Sequence, residues 1–172
     1  SNGQGSGSDS DDDSDGQGSG SDSDDDSDNT PETPFIDLKA DAITFSVEPT
    51  SQFEGYATIT GSIVNIGDNF SSGTGQQIIS LYERSLGTPT NQPGDLVASL
   101  DFTSLAAGEK LEVSYTRTWN SSSPAEGEFA PEYILRIDYD PDLLLDSNVH
   151  NNDSNNTNDS ILVSGHIINS MF

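Results

Sequence analysis

Residues 111–119 read Leu-Glu-Val-Ser-Tyr-Thr-Arg-Thr-Trp: apolar Leu111, Val113 and Tyr115 alternate with polar Glu112, Ser114 and Thr116, and the run continues to Trp119. Successive side chains of a strand point to opposite faces, so a period of two marks a strand with one face buried and the other wet. The same period recurs in both directions along the chain. Toward the C-terminus, Tyr133, Leu135, Ile137 and Tyr139 alternate with Ile134, Arg136 and Asp138, and a last run extends from Ile161 to Phe172. Toward the N-terminus, Leu96, Ala98, Leu100 and Phe102 alternate with Val97, Ser99 and Asp101. Before them, Gln76–Glu83 offers Ile79 and Leu81, and Tyr56–Ile66 sets Ala57, Ile59 and Ile63 against Thr58, Thr60 and Ser62.

The first run, Ile36–Val47, changes phase midway. Ile36, Leu38, Ala40 and Ala42 share one parity, then Ile43, Phe45 and Val47 the other, which predicts a kink or a crossing between sheets. Turn chemistry separates the runs at Asn65-Ile66-Gly67, Gln92-Pro93-Gly94 and Ala107-Gly108. Seven short runs with no helical period predict an all-β domain, an Ig-like seven-stranded antiparallel β-sandwich over residues 35–172.

Five short motifs, in order, carry a family resemblance. They are Asp37-Leu38 opening the first strand, Asn65-Ile66-Gly67 closing the second, and Leu105-Ala106-Ala107-Gly108 before the fifth. Then come Tyr139-Asp140-Pro141-Asp142, and Asp146-Ser147-Asn148 followed by Asn151-Asn152. Over roughly residues 35–165 the chain resembles the CARDB domain, the cell-adhesion-related β-sandwich of bacterial and archaeal surface proteins. The loop after Pro141 departs from the family pattern, being longer and carrying Val149-His150. The resemblance implies an extracellular module without catalytic activity of its own.

Ahead of this domain, residues 1–34 form a low-complexity tail. The unit GQGSGSDSDDDSD occupies residues 3–15 and again 16–28 without a difference, and Asn29–Pro34 adds a proline-containing spacer. No apolar side chain precedes Pro31, so the tail is expected to be extended and to take any order from cations, a partner or attached groups. The chain begins at Ser1 without a leader sequence, which is expected of a processed or excised form.

The net charge is −25; the two repeats hold ten Asp and no base, leaving 20 acids against 5 bases, or −15, in residues 29–172. Such a chain repels nucleic acid and anionic lipid and attracts divalent cations or basic partners. Neither nucleic-acid binding nor membrane insertion is expected. Cysteine is absent, which excludes disulfides and thiol chemistry.

Carboxylates at alternate positions suit a hard cation that wants six to eight oxygen ligands, and Ca2+ is the expected cofactor. In the tail the candidates are Asp9, Asp11, Asp13, Asp15, Asp22, Asp24, Asp26 and Asp28. Their spacing resembles thrombospondin type 3 repeats, and the Ser/Asp alternation resembles the glycosylated stalks of Gram-positive adhesins. A solvated, charge-extended spacer is the competing reading. In the loop before the last strand the candidates are Asp138, Asp140, Asp142 and Asp146, with Asx-turns as the metal-free alternative. Asn-x-Ser/Thr acceptors at Asn69, Asn120, Asn152, Asn155 and Asn158 are glycosylation candidates. His150 and His166 form no nucleophile–base arrangement, and carboxylates are too abundant for any one pair to be informative, so the chain is expected not to be an enzyme. Trp119 with Tyr115 could stack on a sugar or fill the core; core is the expectation.

The body should measure roughly 40 Å across, whereas the tail can extend up to about 110 Å. A tail that reaches a neighbour makes a head-to-tail contact that does not close, and such contacts build fibres. The expected partners are copies of the same chain, with glycans as a further possibility, at the cell surface. The apolar first run (Phe35, Ile36, Leu38, Ile43, Phe45 and Val47) is the segment best suited to pairing between subunits. The alternative is a Ca2+-dependent glycan-binding accessory module of a secreted enzyme or surface protein.

Overall fold

The computed structural model describes residues 30–172. The chain divides after Pro31, and the unit described below is Glu32–Phe172.

The described residues are mostly strand, paired throughout in antiparallel sheets. β1 (Leu38–Pro49), β2 (Glu54–Asn65) and β7 (Lys110–Asn120) form a three-stranded sheet in the order β1-β2-β7. β4 (Gln77–Arg84), β5 (Asp95–Asp101), β8 (Glu132–Tyr139) and β9 (Ser160–Ser164) form a second in the order β5-β4-β8-β9. A two-residue pair, β3 (Phe70–Ser71) with β6 (Ser104–Leu105), stands apart from both.

Alternation places one face of each sheet on a common core. Ala57, Ile59 and Ile63 of β2 and Val113 and Trp119 of β7 meet Ile79 and Leu81 of β4 and Tyr133, Leu135 and Ile137 of β8, all of them buried. Trp119 is thus core, as its place at the end of an alternating run suggested, and Tyr115 packs against the same cluster half-buried. Small residues appear where the sheets press closest: a Cβ on Gly61 would lie 2.6 Å from Cδ1 of Leu135.

The phase change in the first run is a bulge. The β1–β2 register skips between Ala40 and Ala42, so Asp41 is the extra residue and Ile43 takes over the inward face. Of the two sequence readings, kink or crossing, the strand kinks; it stays paired with β2 along its length.

Two expectations are corrected. The run Leu96–Phe102 is an edge strand with a bulge of its own: Leu81 faces Ala98 but Tyr82 faces Leu96, leaving Val97 unpaired. Val97 and Ala98 pack on the core, while Leu96, beyond the bulge, is 55% exposed. The last run is a strand only as far as Ser164. Gly165–Met171 is a 3-10 turn capped by Ser164, whose Oγ accepts from His166 N at 3.2 Å. The chain must bend here because it passes over Trp119: Asn169 Oδ1 accepts from Trp119 Nε1 at 2.8 Å, and buried Ile168 closes that end of the core.

Strand directions fix where the chain enters and leaves. Leu38 at the start of β1 faces Asn65, and Pro49 at its end faces Gly55, which in turn faces Trp119. The entry segment therefore lies at the Asn65 end and the C-terminal turn at the Trp119 end.

A candidate site of buried carboxylates and amides

The entry end is built on Asn65, which is fully buried. Its Nδ2 donates to Asp68 O at 2.7 Å and Leu105 O at 2.8 Å, and its Oδ1 accepts from Gly67 N at 2.9 Å. Gly67 must be glycine, because a Cβ there would collide with the backbone carbonyl of Phe35. That close approach seats the entry segment: Phe35 N donates to Asp68 Oδ2, Asp68 N to Phe35 O, and Ile66 N to Asp37 O.

From the other side the Asn-rich loop closes over the same segment. Ile36 bridges to Asp153 in parallel, Ser154 donates to Ile36 O through both N (2.8 Å) and Oγ (2.7 Å), and Leu38 N donates to Asp153 Oδ2 at 3.1 Å. Asp153 Oδ1 accepts from Asn155 N, and Asn158 Nδ2 donates to Asp37 Oδ1 at 2.9 Å. Asp159, just before β9, holds Ile137 N through its carbonyl.

Three carboxylates, Asp37, Asp153 and Asp159, are thus gathered at one place, and no ion pair among the described residues reaches them. Asp37 is 5% and Asp159 7% exposed. Burial, then the charge of Asp153, pushes the Asp159 carboxyl up to about 7. Asp153 is raised too, by burial first, with hydrogen bonds from Asn155 and Leu38 working against it.

The oxygens around this cluster are short of donors. Among the described residues, five buried side-chain atoms have no hydrogen-bond partner: Gln77 Oε1, Asn151 Oδ1, Asn152 Oδ1, Asn158 Oδ1 and Asp159 Oδ1. All are oxygens, and all belong to this end. Gln77, Asn151 and Asp153 line one small cavity with room for a single water-sized occupant. No three His, Cys, Asp or Glu side chains among the described residues form a metal-binding group by themselves.

The metal candidates of the sequence lie elsewhere. Asp138 pairs with Arg136 and accepts from Tyr82. Asp140 caps the turn Pro141–Leu145 by accepting from Asp142 N, and Asp142 is exposed in that turn's first residues. Asp146 accepts from Asn148 N, Asn151 Nδ2 and Gln76 Nε2, bonds that hold its carboxyl below the usual range. Asp140, Asp142 and Asp146 thus sit in a series of caps and Asx-turns, while Asp138 lies within β8 beside Arg136. Asp9–Asp28 lie outside the described residues.

Of the glycosylation candidates, Asn69 is exposed. Asn120 donates to Glu54, and Asn158 spends its amide nitrogen on Asp37. Asn155 caps Thr157, and Asn152 carries one of the unpartnered oxygens. The strand proposed for pairing between subunits is committed to its own sheet: Ile36, Leu38 and Ile43 are buried, Phe45 and Val47 pack on the core, and Phe35 is exposed.

The opposite end carries a second polar group that the sequence reading missed. Arg117, on the core face of β7, reaches Glu83 at 2.9 Å and Glu126 at 2.6 Å, and Tyr133 OH donates to Glu83 Oε2 at 2.7 Å. Burial, then the bond to Glu83, raises the Tyr133 phenol. The signal available was a charged residue at an inward position of the alternation.

No family model and no curated protein matches the sequence. Solved structures similar in part include β-glucosidases. Over 76% of this chain, β-glucosidase 3B from Thermotoga neapolitana in complex with glucose is 15% identical with a TM-score of 0.33. The enzymes from Kluyveromyces marxianus (14%, 0.31) and Paenibacillus barengoltzii (13%, 0.29) overlap the same share. This chain covers 14–16% of the length of those enzymes. Overlap at this level does not bear on what this chain does. Among the described residues, no helix is long and apolar enough to cross a membrane.

Proposed function

We propose that the chain is a non-enzymatic extracellular module, an Ig-like, CARDB-like seven-stranded sandwich that serves as a subunit of a helical surface filament. Subunits join through the N-terminal segment, by strand pairing, Ca2+ bridging or both. The observation that carries this reading is the direction of the strands: the entry segment lies at the Asn65 end of the domain and the C-terminal turn at the opposite, Trp119 end. Twelve residues of β1 span roughly 40 Å, so the two ends stand well apart. The free edges at β1, β7, β5 and β9 supply backbone groups for contacts between copies.

Negative-stain images and sedimentation of the full chain in Ca2+ are expected to show fibres that weaken when residues 1–34 are removed. A monomer indifferent to that truncation would sink the filament.

One feature favours the alternative, a Ca2+-dependent glycan-binding accessory module. The groove lined by Thr50, Glu54, Tyr56, Thr118, Asn120 and Glu126 presents half-exposed Tyr56 beside carboxylates and an amide, the chemistry that stacks on and hydrogen-bonds a sugar. Binding of the monomer on a glycan array, lost in Tyr56→Ala, would select this reading.

A further inference from the structure

We infer that the outward face of the β5-β4-β8-β9 sheet is a contact surface for a second copy of this chain, which lies on it face to face about a two-fold axis. Register puts one apolar row across all four strands: Tyr82 faces Leu96 on one side and Ile134 on the other, and Ile134 faces Leu162. Residues opposite one another share a face, and the neighbouring Leu81 and Leu135 are in the core, so this row points outward. Leu96 is 55% and Leu162 47% exposed. The outward face of the other sheet is built differently. One of its rows is Ser46, Thr58 and Thr116, the next Thr44, Thr60 and Ser114. The hydroxyls of Thr58 and Thr116 bond at 2.8 Å, and those of Thr60 and Ser114 at 2.9 Å. That face suits water, whereas a contiguous apolar band marks a surface for contact.

Charge selects the occupant. A chain of net charge −25 repels its own copies wherever its acids are unbalanced. On this face two of its five bases stand beside acids: Arg84 pairs with Glu132, and Arg136 pairs with Asp138 and stacks over the Tyr82 ring at 5.0 Å. Along β8 the outward residues include Glu132, Ile134 and Arg136, so opposite charges flank Ile134 on its two sides. A two-fold axis running along the apolar row brings Ile134 onto Ile134 and sets Arg136 of each copy against Glu132 of the other. The existing pairs then join across the contact into an alternating network, Arg84 to Glu132 to Arg136 to Asp138, made once in each direction. Such a match specifies partner and orientation together.

The size of the face sets the strength. Four strands about 4.8 Å apart, over residues 78–84 of β4 at about 3.3 Å each, give about 450 Å2 per copy. About 900 Å2 in all falls below the roughly 1,200 Å2 of stable complexes, so the pair is weak and reversible, with a Kd on the order of 100 μM. The inference goes beyond the filament reading and does not rest on it, because a two-fold contact closes on itself and builds no fibre. Where copies are already strung together, the same weak face would join them side by side through high local concentration.

Sedimentation equilibrium of the full chain, in EDTA and cleared of fibres, is expected to show a monomer at about 10 μM and a dimer that grows toward about 1 mM. Leu162→Glu is expected to raise the Kd by about tenfold or more, because it places an unpaired charge in the contact. Ser46→Glu adds the same charge to the outward face of the other sheet and is expected to change the Kd by less than about twofold. If Leu162→Glu fails to fold, Leu96→Glu serves, at the other end of the row. A monomer throughout the range overturns the inference and leaves the face to a different occupant. A dimer that Leu162→Glu and Leu96→Glu leave intact places the contact elsewhere and overturns it too. So does an equal loss in Leu162→Glu and Ser46→Glu, since net charge alone would then govern association. The filament reading fails separately: it falls when the full chain forms no fibres in Ca2+, whether or not this dimer is present.

Discussion

At the scale of residues, the entry end turns on side chains that satisfy backbone groups no strand can reach. Asn65 serves two carbonyls and one N–H from two segments, the Gly67–Asp68 turn and Leu105. Asn65→Ala would leave all three without a partner, and one buried unsatisfied group costs about 1–3 kcal/mol. The substitution is expected to cost on the order of 3 kcal/mol in urea unfolding; a loss below about 0.5 kcal/mol would mean that water replaces the amide. The acid cluster predicts a pH dependence of stability. Asp159, facing Asp153 and Asp37, titrates in the folded state at about 7, above its unfolded value near 4. Between those values the folded state holds a proton that the unfolded chain has released. The stability it gives is full below about pH 4 and is lost as pH rises through about 7. The parent is expected to melt higher at pH 5 than at pH 8, and Asp159→Asn to flatten that slope. Equal slopes in the two proteins would refute the assignment.

At the scale of elements, what could be read in advance depended on whether apolar residues betray a bulge. In β1 the adjacent Ala42 and Ile43 join two alternations of opposite parity, so the kink at Asp41 was visible. In β5 the run Leu96-Val97-Ala98 is apolar at every position, so either phase satisfies the pattern, and only pairing with β4 decides that Val97 faces the core and Leu96 the solvent. Leu96→Thr is therefore expected to change stability by less than about 0.5 kcal/mol, and Val97→Ser to cost about 1–2 kcal/mol. The reverse order in chemical denaturation would mean the bulge is misplaced. The terminal turn was hidden for a related reason: Ile161 and Val163 begin an alternation that Gly165 and Ile167 continue by parity, whereas packing over Trp119 selects Ile168. The candidate site was legible in kind, an oxygen-rich acidic loop, but not in membership. Asp37 and Asp159 lie more than a hundred residues apart, and only the fold brings them to Asp153.

At the scale of the molecule, the two ends solve the burial of charge in opposite ways. At the exit end Arg117 balances Glu83 and Glu126, and Trp119 and Asn169 complete a closed set of bonds. At the entry end three carboxylates stand together, and the proton that Asp159 keeps up to about pH 7 takes the place of a counter-ion. The domain should therefore loosen from this end first as pH rises through about 7, because opening free energies are local and follow the contacts that are lost. Amides held at the entry end are those of Leu38, Ser154 and Asn155; those of Gly127, Phe129 and Gly165 belong to the exit end. Between pH 6 and pH 8, hydrogen exchange corrected for the intrinsic rate is expected to quicken at the first group by about tenfold for each 1.4 kcal/mol of local stability lost, and to stay unchanged at the second. A uniform acceleration at both ends would instead mean that Asp159 acts on global stability, and that the entry segment is not separately held.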